Sequence, residues 1–196
     1  MNRNKRYSYS DFISIFDKAR DRVRAFDDIP DDLFTLKPDR KSWSAAEICS
    51  HIAKFNRIYI GSIQKAASLE PVYAENPEKT FRPGFFYGLY ASALEPPYSL
   101  KLKTLQPFYP AKVELEKESV IELLLDSERK VSELVQQFSE KKLDLSRSMH
   151  KNPIIKFLPM SVTDFLVLID AHQRRHIWQL EQTLLRLSGN TYEPAG

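Results

Sequence analysis

In four long stretches of this chain apolar side chains recur every three or four residues, and a chain with that rhythm folds into helices that each bury one face. The first stretch runs from about Tyr9 to Phe26, with Phe12, Phe16, Ala19, Val23 and Phe26 along one side. The second begins at Ala45, where Ser44 is a good N-cap, Glu47 can complete a capping box, and Trp43 with Ile48 has the spacing of a hydrophobic staple. Its stripe of Ile48, Ile52, Phe55, Ile58, Tyr59 and Ile63 continues to about Ser68, and Pro71 stops it. A third helix is predicted over about Ser119 to Ser139, with Ser119 as a cap and Val120, Leu124, Val131, Leu134, Val135 and Phe138 toward the core. The fourth starts at Ser161 or its neighbour and runs to about Ser188, before Gly189-Asn190. The expected fold is all-α, a four-helix bundle in a single domain over residues 1–196, since 42% apolar residues in a chain of this length can bury a full core.

The connections are unequal. Leu33 to Lys41 and Leu143 to Pro159 read as loops, whereas residues 70–112 hold Pro71, Pro77, Pro83, Pro96, Pro97, Pro107 and Pro110, most of the twelve prolines. That long segment between the second and third helices is also rich in rings, among them Tyr73, Phe81, Phe85, Phe86, Tyr87, Tyr90, Tyr98, Phe108 and Tyr109. So many aromatics predict a segment that packs, with a short helical piece around Phe85 to Leu94, and that forms a lid on the bundle or a wall of a substrate pocket.

Three polar residues interrupt the apolar faces. His172 and His176 lie four apart in the last helix, about 40° from each other at 100° per residue, within the arc of Phe165, Leu168, Ile169, Leu180 and Leu187. His51 falls inside the buried arc of the second helix, close in angle to Ile58 and Ser62. Neutral histidines that each find a hydrogen-bond partner would satisfy the same pattern. Three imidazoles on the buried faces of two helices instead point to a metal site, because bundles usually assemble one from side chains on facing helices. The fourth histidine, His150, reads as an exposed loop residue. Glu47 lies one turn before His51 and could orient its ring, although the capping box already accounts for it; Cys49, about 200° around the helix from His51, reads as a small buried filler.

Bulk properties exclude other classes. Lys and Arg number 29 against 26 Asp and Glu, and a formal charge of +3 without a basic run does not suggest nucleic-acid binding. The longest apolar run, Phe165 to Ile169, is too short for a bilayer, and no apolar stretch follows the basic amino terminus as a secretory signal would require. A single cysteine fits a reducing compartment, so a cytoplasmic protein is expected.

The segments Trp43-Ser-Ala-Ala-Glu47-Ile-Cys-Ser-His51-Ile and Ala171-His172-Gln-Arg-Arg-His176-Ile-Trp-Gln-Leu-Glu181-Gln together resemble the DinB/YfiT-like family. That resemblance implies a four-helix bundle with a divalent metal, often zinc or nickel, held by three histidines, here His51, His172 and His176. Similar proteins include metal-dependent thiol S-transferases using bacillithiol, mycothiol or glutathione, a mycothiol-dependent isomerase and hydrolases. Many are dimeric, which allows a homodimer here.

Three imidazoles leave a four-coordinate zinc with one open position, which suggests catalysis instead of a closed structural site. That position suits a low-molecular-weight thiol bound as its thiolate or a water of lowered pKa. Thiol S-transfer onto a small-molecule substrate is the first expectation, a metal-dependent hydrolase the second, and a stress-associated binding module with a structural metal the third. Arg174 and Arg175 border the metal face, and Arg175 could pair with an acidic thiol. Gln179 and Thr183 lie near the histidine arc, while Trp178 projects roughly opposite to it and could meet loops or another subunit.

Overall fold

The computed structural model describes residues 5–69, 71–76, 79–96, 103–110 and 115–189. Pro77, Pro97, Tyr98 and Asn190 lie outside these, as do residues 111 and 112 at the end of the long segment. Six α-helices dominate the described residues: α1 (Tyr9–Arg24), α2 (Asp31–Thr35), α3 (Ala45–Leu69), α4 (Phe85–Ala93), α5 (Lys117–Glu140) and α6 (Val162–Leu187). The four long helices fall where the apolar rhythm places them. α1 packs along α5, α5 along α3, α3 along α6, and α4 rests on α6. No helix among the described residues is long and apolar enough to cross a membrane.

Local sequence sets the helix ends. Ser8 and Asp11 close a capping box on α1, and Ala25–Asp28 tightens into a 3-10 turn just where the first helix was expected to continue. Ser44 and Glu47 exchange the capping bonds expected of them, at 3.0 and 3.2 Å. Ser161 does the same for α6 with Asp164. The expected cap at Ser119 is not one: α5 begins two residues earlier, at Lys117, after an extended Glu116 that makes no side-chain cap. The Lys117 ammonium donates to the carbonyls of Asp27 and Ile29 instead, tethering this end to the turn after α1.

Two expected loops carry structure. α2 occupies part of the connector before α3. Met149–Lys151 (β1) pairs antiparallel with Pro159–Ser161 (β2), with His150 opposite Met160. His150 is therefore a half-buried strand residue and not an exposed loop residue; a three-residue strand is too short for its periodicity to show. The long connection packs, as its rings require. Phe81 exchanges both backbone bonds with Tyr7 at 2.8 and 2.7 Å, Ala74 donates to the Lys142 carbonyl at 2.7 Å, and α4 forms where the helical piece was predicted.

The apolar core comes in two parts with a polar layer between them. One part gathers Phe12 and Phe16 of α1, Phe55 to Ala66 of α3, Val131 to Phe138 of α5 and Phe165 to Ala171 of α6. The other holds Val23, Ala45 to Ala53, Val120 to Leu124 and Ile177 to Leu184. At the junction three of the helices turn polar: His51 and Asn56 on α3, Ser127 and Glu128 on α5, His172, Gln173, Arg175 and His176 on α6, all buried. Burying so many polar groups costs free energy unless each finds a partner, so this layer is where function is to be sought.

Candidate metal centre

α3 and α6 lie side by side, and the turn of α3 that follows the Ser44 cap brings His51 level with His172 and His176. The Nε2 atom of His51 lies 3.2 Å from the Nε2 of His172 and 3.2 Å from that of His176. All three imidazoles are nearly buried, at 3%, 8% and 9% exposure. Among the described residues these three histidines form the one group able to offer a metal three ligand atoms, and no cysteine or carboxylate joins it.

The far side of each ring decides what the converging nitrogens carry. His51 Nδ1 faces the Phe108 carbonyl at 2.5 Å, and His176 Nδ1 faces the Gln179 amide oxygen at 2.8 Å. Carbonyl oxygens only accept, so both Nδ1 atoms hold a proton and both Nε2 atoms present a lone pair. His172 Nδ1 has no hydrogen-bond partner among the described residues, and its ring lies flat on Phe55 with centroids 3.6 Å apart. Even if His172 placed its proton on Nε2, that proton could serve only one of the two facing lone pairs. A cation satisfies all three nitrogens together. In a tetrahedral site with metal–nitrogen distances of about 2.0–2.1 Å, neighbouring nitrogens are about 3.3–3.4 Å apart, close to the spacing seen here.

Electrostatics favour the neutral rings that a metal needs. Burial holds the His51 imidazolium pKa below its ordinary value, against the opposing pull of the Phe108 carbonyl. Burial followed by the neighbouring rings pushes His172 well below, and His176 falls to about 3.

The three rings line a cavity of about 1100 Å³. Phe55 and Tyr59 of α3, Phe86, Tyr87 and Tyr90 of α4, and Phe108 form much of its wall, and Trp43 lies against the His51 ring at a centroid distance of 5.0 Å. The other residues singled out in the sequence sort clearly. Arg175 and Thr183 line the cavity, and Gln179 both lines it and holds His176. Arg174 does not serve this face: it binds both carboxylate oxygens of Asp170, at 2.9 and 3.0 Å, and Glu95 just beyond α4, securing α4 to α6. Trp178, expected on the opposite side, lines the cavity too, because the opening wraps around α6. Glu47 spends its carboxylate on the Ser44 cap and on Lys37 at 2.7 Å, and Cys49 is fully buried with a thiol pKa raised by burial.

Sequence reasoning passed over three parts of this centre. Trp43 was legible only as a helix staple and Phe55 only as a core residue. The Phe108 carbonyl, being backbone in a proline-rich segment, has no side-chain signal at all.

Helices gathered around three converging imidazoles at a cavity wall define a helical protein whose buried histidine group can bind a metal ion. A family model described as the DinB superfamily matches residues 15–180, so the chain belongs to the DinB superfamily. No curated protein and no solved structure matches it.

Proposed function

We propose that this chain is a metal-dependent enzyme that transfers a low-molecular-weight thiol to an electrophilic small molecule with an apolar body. His51, His172 and His176 are the metal ligands, and α1, α3, α5 and α6 are the four helices of the bundle that carries them. Zinc or nickel fits a set of three imidazole nitrogens. The carrying observation is the convergence of the three rings, with His51 Nε2 3.2 Å from the Nε2 of both His172 and His176 and an oxygen facing Nδ1 of His51 and of His176. A divalent cation held by these three rings would lower the pKa of a thiol and favour its thiolate.

The chain does the rest. Phe108 and Gln179 keep the rings oriented through their Nδ1 protons, as partners behind a ligand usually do. Phe55, Tyr59 and Tyr90 hold the acceptor's apolar body and keep water from it. In the transfer the thiol's proton passes to solvent, the sulfur–carbon bond forms, and the acceptor's carbon–leaving-group bond breaks with its electron pair on the departing group, or a strained ring opens and its heteroatom takes up a proton. Hydrolysis is favoured less, because no Asp or Glu among the described residues lines the cavity to act as a general base for water.

The test is a panel of glutathione, bacillithiol and mycothiol with 1-chloro-2,4-dinitrobenzene, run beside a panel of nitrophenyl esters on zinc- and nickel-loaded protein. Conjugation that needs metal and disappears in His176→Ala is expected. Ester cleavage with no thiol consumed would replace transfer by hydrolysis.

A further inference from the structure

The cavity is unequally charged. Lys41, Lys103, Arg175 and Arg186 line it, against no lining carboxylate among the described residues. Lys41 and Lys103 are exposed at its edge, and Arg186 reaches Asp39, which is not a lining residue, at 3.4 Å. Arg175 is different: one turn beyond His172 on α6, it is only 6% exposed. The apolar wall meanwhile continues past the mouth, where Phe86 of α4 is 79% exposed and Leu158, just before β2, is 41% exposed.

A positively charged ligand would meet like charge here, beside a cation held by the histidines. A neutral one would gain from the rings alone. An organic anion gains from both, since charge-assisted bonds to Lys and Arg strengthen as water is excluded. We propose that the cavity selects an anionic amphiphile, with a carboxylate, sulfonate or phosphate group drawn to these cationic side chains and an aliphatic or aromatic body laid on the rings. This names the substrate class of the site proposed above, and so rests on that site being the place of reaction.

Octanesulfonate, 1-octanol and octyltrimethylammonium share one apolar tail and differ in charge. Their binding is measured by calorimetry on the metal-free full chain, so a failure to bind metal, fatal to the catalytic proposal, leaves this result intact. Octanesulfonate should bind at least about ten-fold tighter than octanol, as expected for one charge-assisted contact, with octyltrimethylammonium the weakest. Lys41→Met/Lys103→Met changes only exposed side chains and keeps the test available should Arg175→Met fail to fold. Each variant should weaken octanesulfonate several-fold and leave octanol within about two-fold, since only the charged contact is lost. Equal affinity for octanesulfonate and octanol, or an anion preference unchanged in both variants, would overturn the proposal.

Discussion

At the scale of single residues, what distinguishes His51 and His176 from ordinary buried histidines is the oxygen behind each ring. The Gln179 oxygen lies 2.8 Å from His176 Nδ1. Gln179→Leu keeps the side chain's bulk and removes the acceptor; it should lower metal affinity by about 10- to 100-fold, as loss of a partner behind a ligand does, with the melting temperature of the metal-free protein nearly unchanged. Competition titration against a chromophoric chelator measures this, and an affinity equal to wild type would show that Gln179 does not orient the ring. The histidines themselves were legible because polar residues on an apolar arc stand out. Their partners were not, since a backbone carbonyl at Phe108 and a glutamine among many surface glutamines leave no mark in a periodic pattern.

Elements meet in the polar layer, and α5 joins it through a carboxyl group. Glu128 is 1% exposed and accepts from Asn56 of α3 at 2.9 Å. With its amide nitrogen turned toward the carboxyl, Gln173 of α6 donates to both Glu128 oxygens, at 3.0 and 2.5 Å. Burial raises the Glu128 pKa from 4.5 to about 8, so the folded chain keeps a proton that the unfolded chain releases. Stability from this group is therefore full below pH 4.5, falls as pH rises toward 8, and is level beyond. Glu128→Gln should flatten that decline and be more stable than wild type by a few kcal/mol at pH 8, at about 1.4 kcal/mol per pKa unit. Urea unfolding at pH 4.5 and pH 8 reads the difference; parallel declines in the two proteins would show that Glu128 is ionised in the fold. At the other end of α6, Ser161→Ala removes half of a capping box and should cost about 1 kcal/mol in the same assay. The start of α6 was readable because Ser161 immediately precedes a long apolar period. The layer on α5 was not: Ser127 and Glu128 sit in a helix most of whose other polar residues face water, and only the packing of α5 against α3 and α6 tells them apart.

For the whole molecule, the four long helices were evident from period and capping, whereas α2 and the β1–β2 pair were not, being too short to carry a period of their own. The cavity was the least legible feature. It is built by side chains from α3, α4, α6 and the segments between them, and only the proline- and ring-rich composition of the long connection hinted that it would pack against a site. Because the metal would bind the folded chain and not the unfolded one, zinc at a hundred times its dissociation constant should add about 2.7 kcal/mol of stability and raise the melting temperature by about 5 to 10 °C. A thermal scan with and without chelator checks this, and identical curves would mean that the histidine layer holds no cation. The most direct measurement is X-ray absorption on the zinc-loaded protein. Three imidazole nitrogens at about 2.0–2.1 Å with one further light atom are expected in the wild type, and two imidazoles in His51→Ala. A sulfur shell, or an imidazole count that does not change when His51 is removed, would contradict a centre built by α3 and α6 together.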